Sequence, residues 1–168
     1  MRRALRILAG LAALLALAAV GVRLLAGGPV GPLPGGWLRG ELVAEPVADW
    51  SFANRFQRLE VESRARWLPF SQGSWFIAHE GRLHLLLPSL FGAGLKERLD
   101  EDARVRVRID GRLHDLRAKR VTDESEVAAL LRPALRRQFA IEVEGPLRRM
   151  APEGSSGVEL WVYRLDSP

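Results

Sequence analysis

Two histidines occupy matching places in a repeated four-residue pattern, and they are the first candidates for chemistry. Gly-Arg-Leu-His occurs at residues 81–84 and again at 111–114, each time after an acidic residue and an apolar run. If the His84 and His114 side chains pointed into one barrel, they could form a two-histidine ligand site. A single histidine at such a strand position is more often packed in the core. The residues alone leave both alternatives open.

Charged side chains are the other candidates. A basic row follows an Arg/Val-rich stretch and continues beyond it: Arg104, Arg106, Arg108, Arg117, Lys119 and Arg120. Its ordinary role is a solvated sheet face partly paired with Asp115, and its functional alternative is contact with a phosphate or an acidic lipid. The carboxylates are predicted to face outward, without an acid–base pair: Glu60, Glu62, Asp100, Glu101 and Asp102. The sequence has no phosphate loop, nucleophile elbow or run of zinc ligands, so the catalytic residues stay unknown and no metal site is predicted.

Two β-hairpins position these residues. Residues 104–121 alternate apolar and polar side chains on both sides of an Asp-Gly pair, a strong hairpin signal that places Val107 opposite His114. Residues 74–88 repeat the design around a Glu-Gly pair, with apolar side chains on both faces. This first hairpin is therefore the predicted centre of the sheet, and the pair of hairpins predicts an antiparallel sheet closed into a barrel.

Other elements are predicted around the first hairpin. Residues 55–63 alternate in a way that predicts a strand with Leu59 and Val61 facing inward. The small residues of 89–94 predict a flexible loop, which leads into a short helix at 95–101.

A second helix and a last strand are predicted after the second hairpin. Asp123 and Glu126 form a capping box at the start of the helix. Pro133 is expected to interrupt or restart that helix, which then continues with Arg137 facing outward. After a polar loop at 147–157, residues 158–165 predict a closing strand with two aromatic side chains on one face.

The N-terminal segment differs from the rest of the chain. Residues 1–26 are apolar apart from four arginines, and residues 7–22 carry no charge, which predicts a single transmembrane helix. A cleaved signal peptide is the alternative, because residues 19–21 are small enough for a cleavage site. The basic residues at the N-terminus predict a cytoplasmic N-terminus and an extracytoplasmic domain. Residues 27–36 are rich in Gly and Pro and predict a linker, and residues 37–168 form one domain.

Composition excludes two classes of function. Of 25 basic residues, four lie in or beside the apolar segment, which leaves 21 against 20 acidic residues in the folded part. This near-neutral balance argues against a nucleic-acid partner. The chain has no cysteine, so disulfides and thiolate metal sites are excluded.

The order of these elements resembles the split β-barrel flavin-binding superfamily, which includes pyridoxamine-phosphate-oxidase-like proteins and deazaflavin-dependent nitroreductases. The resemblance covers about residues 51–165, from the first strand and the buried hairpin to the closing strand VELWVYRL. The Gly/Pro segment is similar to the linker of membrane-anchored members. The resemblance therefore predicts a mainly β protein with flanking helices (α+β), a split antiparallel β-barrel preceded by a single transmembrane helix.

The resemblance also implies a cofactor. Members that bind a flavin hold its phosphate with a Ser/Thr and Lys/Arg set after the third strand, and the matching residues are Ser89, Lys96 and Arg98. FMN or a deazaflavin is implied ahead of haem, bound in a homodimer that reduces a small or lipophilic acceptor. The alternative is a cofactor-free, membrane-anchored binding or structural module, in which Lys96 and Arg98 point to solvent instead of converging on a phosphate.

Overall fold

A computed structural model of the chain describes residues 2–31, 33–139 and 159–168. The helices and strands of these residues follow one another as α1 (Arg2–Leu25), β1 (Glu41–Leu42), β2 (Leu59–Ser63), β3 (Phe70–His79), β4 (Arg82–Pro88), α2 (Ser89–Glu101), β5 (Arg104–Ile109), β6 (Arg112–Val121), α3 (Glu124–Phe139) and β7 (Leu160–Asp166). A 3₁₀ turn, Ser51–Arg55, lies between β1 and β2. The loop predicted at 147–157 and the first residue of the predicted closing strand lie outside the described residues.

Six antiparallel strands close into a barrel in the order β6-β5-β2-β3-β4-β7, because β7 also pairs with β6. The short β1 runs parallel to the first two residues of β6, before the stretch of β6 that β7 covers. The predicted class, a mainly β antiparallel barrel with flanking helices, is confirmed.

Both predicted hairpins form in the predicted register. Ile77 lies opposite His84 in the β3–β4 hairpin, and Val107 lies opposite His114 in the β5–β6 hairpin. The two central residues of each turn have positive φ angles, as the tight turns that match the twist of a hairpin require. These residues are Glu80, Gly81, Asp110 and Gly111.

The core has two parts. The larger part fills the barrel, where Leu59 and Val61 are fully buried as predicted. Trp161 and Tyr163 of β7 join this cluster from one face of the strand, which confirms their predicted placement. The smaller part lies between the outer face of the barrel and α3, where Leu130 packs with apolar residues of β3, β4 and β7. Because burying each large aliphatic side chain contributes roughly 1.5–3 kcal/mol, this second cluster is sufficient to hold α3 against the sheet.

Helix α2 begins at Ser89, so the predicted flexible loop at 89–94 is wrong. Gly92 lies directly over the end of β4, where an added Cβ atom would come within 2.7 Å of the Leu87 Cβ. The small residues that resemble a loop in the sequence allow the first turn of the helix to pack on the strand. Leu95 is then fully buried in the barrel core.

Helix α3 starts as predicted, with the Glu126 amide donating to Asp123 Oδ1 at 2.8 Å. The interruption predicted at Pro133 is wrong, because the helix continues through this residue to Phe139. Pro133 is exposed, whereas Leu130 and Ala134 on either side of it are buried against the sheet. This packing offsets the roughly 3 kcal/mol that a proline costs inside a helix.

Arg137 contacts the barrel, so its predicted outward orientation is wrong. Its guanidinium donates to the Phe76 carbonyl at 2.9 Å and to Asn54 Oδ1 at 2.6 Å. Strand β2 pairs with β3 only as far as Ser74, so the following residues of β3 pair with β4 on one side and have no described strand on the side of β2. The Asn54 amide bonds to both the N–H and the carbonyl of Ala78. Asn54 and Arg137 therefore satisfy the edge of β3 where the barrel is split.

Residues 27–31 and 33–39, called here the strap, are fastened to the barrel wall. Gly35 exchanges two backbone hydrogen bonds with Ser71 of β3, at 2.7 and 3.1 Å. Arg108 donates to the carbonyls of Gly27 and Arg39, both at 2.9 Å, and also pairs with Glu60. The segment predicted as a linker thus covers part of the outer face of β2, β3 and β5.

No helix of the described residues is sufficiently long and apolar to cross a membrane. The transmembrane helix predicted for residues 1–26 is therefore not confirmed.

Candidate functional site

A groove of about 280 Å³ lies where β3 and β4 meet the start of α2. Gly31 and Pro34 of the strap form one of its walls. Trp75 and Phe91 are its aromatic residues, and the Phe91 side chain is 73% exposed. The groove is thus lined by two aromatic residues. Gly92, where the backbone of α2 packs closely on β4, also lines it.

Three polar residues also line the groove: Arg58, Gln72 and Ser74. Gln72 Nε2 donates to Ser74 Oγ at 3.3 Å, so the two side chains form a small network. Arg58 is exposed and makes no ion pair with any residue in the described part of the chain. The groove therefore brings amide, hydroxyl and guanidinium groups together with two aromatic residues.

The start of α2 adds to the positive potential of the groove. Pro88 occupies the N-cap position of the helix and makes no side-chain capping hydrogen bond. The Ser89 amide donates to the Glu159 carbonyl at 2.8 Å, and Ser89 Oγ accepts from the Glu159 amide at 3.2 Å. The partial positive charge of a helix N-terminus thus lies beside the groove. The Ser89 hydroxyl itself connects α2 to the residue before β7.

The structure places Lys96 and Arg98, two of the predicted phosphate-binding residues, on different sides of α2. Lys96 donates to Asp100 at 2.5 Å, and its ammonium lies 5.4 Å from the ring centre of Trp161. The Arg98 guanidinium lies 4.7 Å from the ring centre of Phe70. Residues two apart on a helix point about 200° apart, which explains the divergence. None of Ser89, Lys96 and Arg98 lines the groove, and their binding role stays a prediction.

The two histidines lie on opposite faces of the barrel wall, so they form no shared site. His114 lies on the same face of β6 as the core residues Leu116 and Ala118. Its ring meets the Trp50 ring edge-on, with the two ring centroids 5.0 Å apart. His84 lies opposite Ile77, on the face that packs against α3. Burial lowers the pKa of both imidazoles, as expected for packed core histidines. Among the described residues, no cluster of acidic side chains and histidines could hold a metal ion.

Glu62 faces outward as predicted, but its side chain is buried. Its side chain is 1% exposed and accepts a hydrogen bond from the Leu38 amide at 2.6 Å. Arg64 Nε lies 3.3 Å from the other carboxylate oxygen. Glu62 does point away from the barrel core, but the strap covers this part of the outer face. The carboxylate therefore anchors the strap and is not available for acid–base chemistry.

Sequence reasoning missed the residues of the groove, although one signal was present. Side chains alternate across a strand, so Gln72 and Ser74 share a face with the core residue Phe76. Polar residues at inward-facing positions indicate either a buried network or a site. The contribution of Arg58 and the strap depends on the tertiary fold and leaves no local signal.

No family model and no curated protein sequence matches the chain. Among solved structures, it is similar to the conserved hypothetical protein Rv2991 from Mycobacterium tuberculosis, with a TM-score of 0.50, 13% identity and coverage of 76% of this chain and 85% of that one. A candidate pyridoxamine 5'-phosphate oxidase from Listeria innocua gives a TM-score of 0.47 at 16% identity, covering 67% and 85% of the two chains. A FAD-binding protein from Mesorhizobium loti gives 0.45 at 13% identity, covering 69% and 84%.

The likeness to the Mycobacterium protein is one of fold, and it agrees with the split-barrel fold that the sequence resemblance predicts. None of these comparisons supports the membrane-anchored subgroup. The chain is therefore a split-barrel protein by its fold, with a groove at the β3–β4–α2 corner as its candidate site.

Proposed function

We propose that the groove at the β3–β4–α2 corner binds a flavin-type cofactor, FMN or a deazaflavin, in an oxidoreductase. The observation that carries this proposal is the meeting of Trp75, Phe91 and the exposed Arg58 in one groove. A flavin has a planar ring system and an anionic phosphate tail, so it needs aromatic surfaces and a cation near a helix start. Trp75 and Phe91 would contact the ring system, and Arg58 would contact the phosphate. A flavin bound there would supply hydride or electron transfer to a small or lipophilic acceptor.

Ser89, Lys96 and Arg98 remain candidates for the phosphate contact that the family resemblance implies. Lys96 and Arg98 would have to leave the rings of Trp161 and Phe70 to converge on one ligand. Arg58 needs no such rearrangement, because it lines the groove already. We therefore expect substitution of Arg58 to weaken binding more than substitution of Lys96.

We propose that a second copy of the chain completes the site. A volume of about 280 Å³ is below the roughly 300–1,000 Å³ typical of small-molecule sites, so one chain would enclose only part of a flavin. Leu90 and Phe91 are 69% and 73% exposed at the edge of the groove, where a partner could cover them. Sedimentation velocity should give a dimer for the wild type and a monomer for Leu90→Glu. A wild-type monomer would contradict the proposed dimer.

We propose that α1 holds the protein at a membrane, with a cytoplasmic N-terminus and an extracytoplasmic barrel. The proposal is supported by a large apolar surface on α1, whose side chains are more than half exposed: Ile7, Leu8, Leu11, Leu14, Leu15, Leu17 and Val20. In water such a surface is costly, whereas lipid would cover it. Alkaline extraction of cell membranes should leave the protein in the pellet, and protease added outside the cytoplasmic membrane should cleave the barrel domain. Release by alkali would contradict the attachment.

The cofactor proposal is tested by absorbance spectra from 300 to 700 nm of the detergent-purified, full-length protein. Spectra are recorded before and after addition of FMN, a deazaflavin and haem. A flavin-type chromophore should remain bound after gel filtration, and Arg58→Gln should weaken it. The matched control is Arg112→Gln, which changes an exposed arginine at the β5–β6 turn, outside the groove. A protein that takes up none of the three chromophores would contradict the proposal and favour the cofactor-free module.

A further inference from the structure

The strap forms a closed loop on the barrel wall. The backbones of Gly28 and Gly35 are in contact, so an added Cβ atom at Gly35 would overlap the Gly28 carbonyl group. The Arg39 amide donates to the Gly27 carbonyl at 3.2 Å, and this hydrogen bond closes the loop. Because the strap is also bonded to the barrel wall, it cannot act as an extended, flexible linker.

The far end of this loop is an exposed apolar tip, formed by Val30 and Leu33. The two residues exchange backbone hydrogen bonds at 3.2 and 3.1 Å, so the chain reverses direction between them. They are 49% and 65% exposed, and the strap contains no acidic residue. Gly31 between them and Pro34 beside Leu33 both line the groove. The apolar tip therefore lies beside the groove at the β3–β4–α2 corner.

The strap joins the barrel closely to α1. Helix α1 ends at Leu25, and the Gly27 carbonyl already accepts hydrogen bonds from Arg39 and Arg108. Two residues of extended chain span at most about 7 Å, so the end of α1 lies near the barrel wall. Val30 is three residues further on and lies at most about 11 Å from Gly27. The barrel is thus mounted on α1 without a long tether.

We propose that the tip formed by Val30 and Leu33 contacts a lipid surface and seats the barrel there, with the groove at the interface. This inference rests on the proposed attachment of α1 to a membrane. The fastened strap carries it further, because a barrel mounted this close to the end of α1 turns one particular face toward the lipid. The tip is part of that face, and lipid would remove its aliphatic side chains from water.

Lipid is favoured over a protein partner as the occupant of the tip. Aliphatic residues of α1 are exposed as far as Val20, and Val30 follows the end of α1 by only five residues. Two exposed apolar surfaces this close along a fastened chain can be covered by one bilayer. A stable protein interface buries roughly 800 Å² on each partner, which is far more than two side chains supply.

The test measures the distance of single labelled sites from lipid. The chain has no cysteine, so Leu33→Cys, Gly73→Cys and Lys119→Cys can each carry one NBD fluorophore in the full-length protein. Gly73 is exposed on β3 with open space around an added Cβ, and Lys119 is exposed on β6, three strands away around the barrel. The variants are reconstituted into vesicles of phosphatidylcholine and phosphatidylglycerol, with and without nitroxide-labelled phosphatidylcholine. Their unfolding midpoints should match that of the wild type.

A seated barrel should give the largest loss of emission at Leu33, a smaller loss at Gly73 and almost none at Lys119. Water-like emission at Leu33, or blue-shifted emission that the nitroxide lipid does not quench, would overturn the proposal, and the second result would indicate a protein partner. Equal losses at Gly73 and Lys119 would also overturn it, because the strap alone would then reach the lipid.

Vesicle flotation separates this inference from the attachment on which it rests. A protein that floats with the vesicles while its Leu33 label stays unquenched would refute the seating of the barrel and leave the attachment of α1 intact. A protein that does not float with the vesicles would refute both.

Discussion

Two glycines of helix α2 should respond in opposite directions to the same substitution. Ala in place of Gly stabilises an unstrained helical position by about 0.5–1 kcal/mol, because a chain with Ala loses less conformational entropy on folding than a chain with Gly. At Gly94 the nearest atom to an added Cβ is Phe70 Cζ at 3.6 Å, an ordinary contact. At Gly92 the Cβ would lie 2.7 Å from the Leu87 Cβ and 3.1 Å from its Cα. Since carbon atoms pack at about 3.5–4.0 Å, α2 must move away from β4.

The net effects follow from these distances. Overpacking of this kind costs about 1–3 kcal/mol, which exceeds most of what Ala gains over Gly in a helix. Gly92→Ala should therefore lower the free energy of unfolding. Gly94→Ala should raise it by about 0.5–1 kcal/mol. In a chain of this size, each kcal/mol corresponds to about 2–4 °C in melting temperature, so thermal and urea unfolding can resolve the difference. Stabilisation by Gly92→Ala, or equal effects at the two positions, would refute the close packing of α2 on β4.

Three other perturbations test separate parts of the fold. Asp123→Ala removes the α3 cap and should cost about 0.5–2 kcal/mol in urea unfolding, whereas an unchanged midpoint would contradict the cap. Asn54→Ala leaves the buried Ala78 backbone groups without their side-chain partner and should cost about 1–3 kcal/mol, and a neutral result would show that this edge of β3 is satisfied otherwise. Burial lowers the pKa of His84 and His114, so between an unfolded value near 6.5 and the lower folded values the unfolded chain binds more protons. The free energy of unfolding should therefore decrease as the pH falls through that range, and the decrease should be shallower in His84→Gln and His114→Gln. If the variants and the wild type lost stability equally with pH, the two histidines would not be the cause.

The two hairpins could be predicted from local patterns because local residues determine them. In each hairpin a two-residue turn with positive φ angles fixes the register, so every later pair on the two strands follows. The start of α2 could not be predicted in this way. Glycine weakens a helix by its intrinsic preference, and only the position of Leu87 beneath Gly92 shows why the helix needs it.

The candidate site was less predictable than the fold, because its residues are brought together from distant segments. The groove takes its walls from the strap, Arg58, β3 and the β4–α2 corner, which no single sequence window contains. The predicted residues Lys96 and Arg98 lie close in sequence, yet the helix turns them toward different rings. The contacts of Arg137 and Glu62 could not be predicted for the same reason, since both residues bind backbone groups from distant parts of the chain.

The location of the bound flavin is the central claim, and photolabelling tests it most directly. The full-length protein is equilibrated with 8-azido-FMN, illuminated, digested and analysed by mass spectrometry, with excess FMN as the competitor. The assignment predicts FMN-protected label on the residues that line the groove, which are Gly31, Pro34, Arg58, residues 72–75, residues 86–88, Phe91 and Gly92. The absence of protected label, or protected label only on residues outside the groove, would contradict the assignment of the groove as the flavin site.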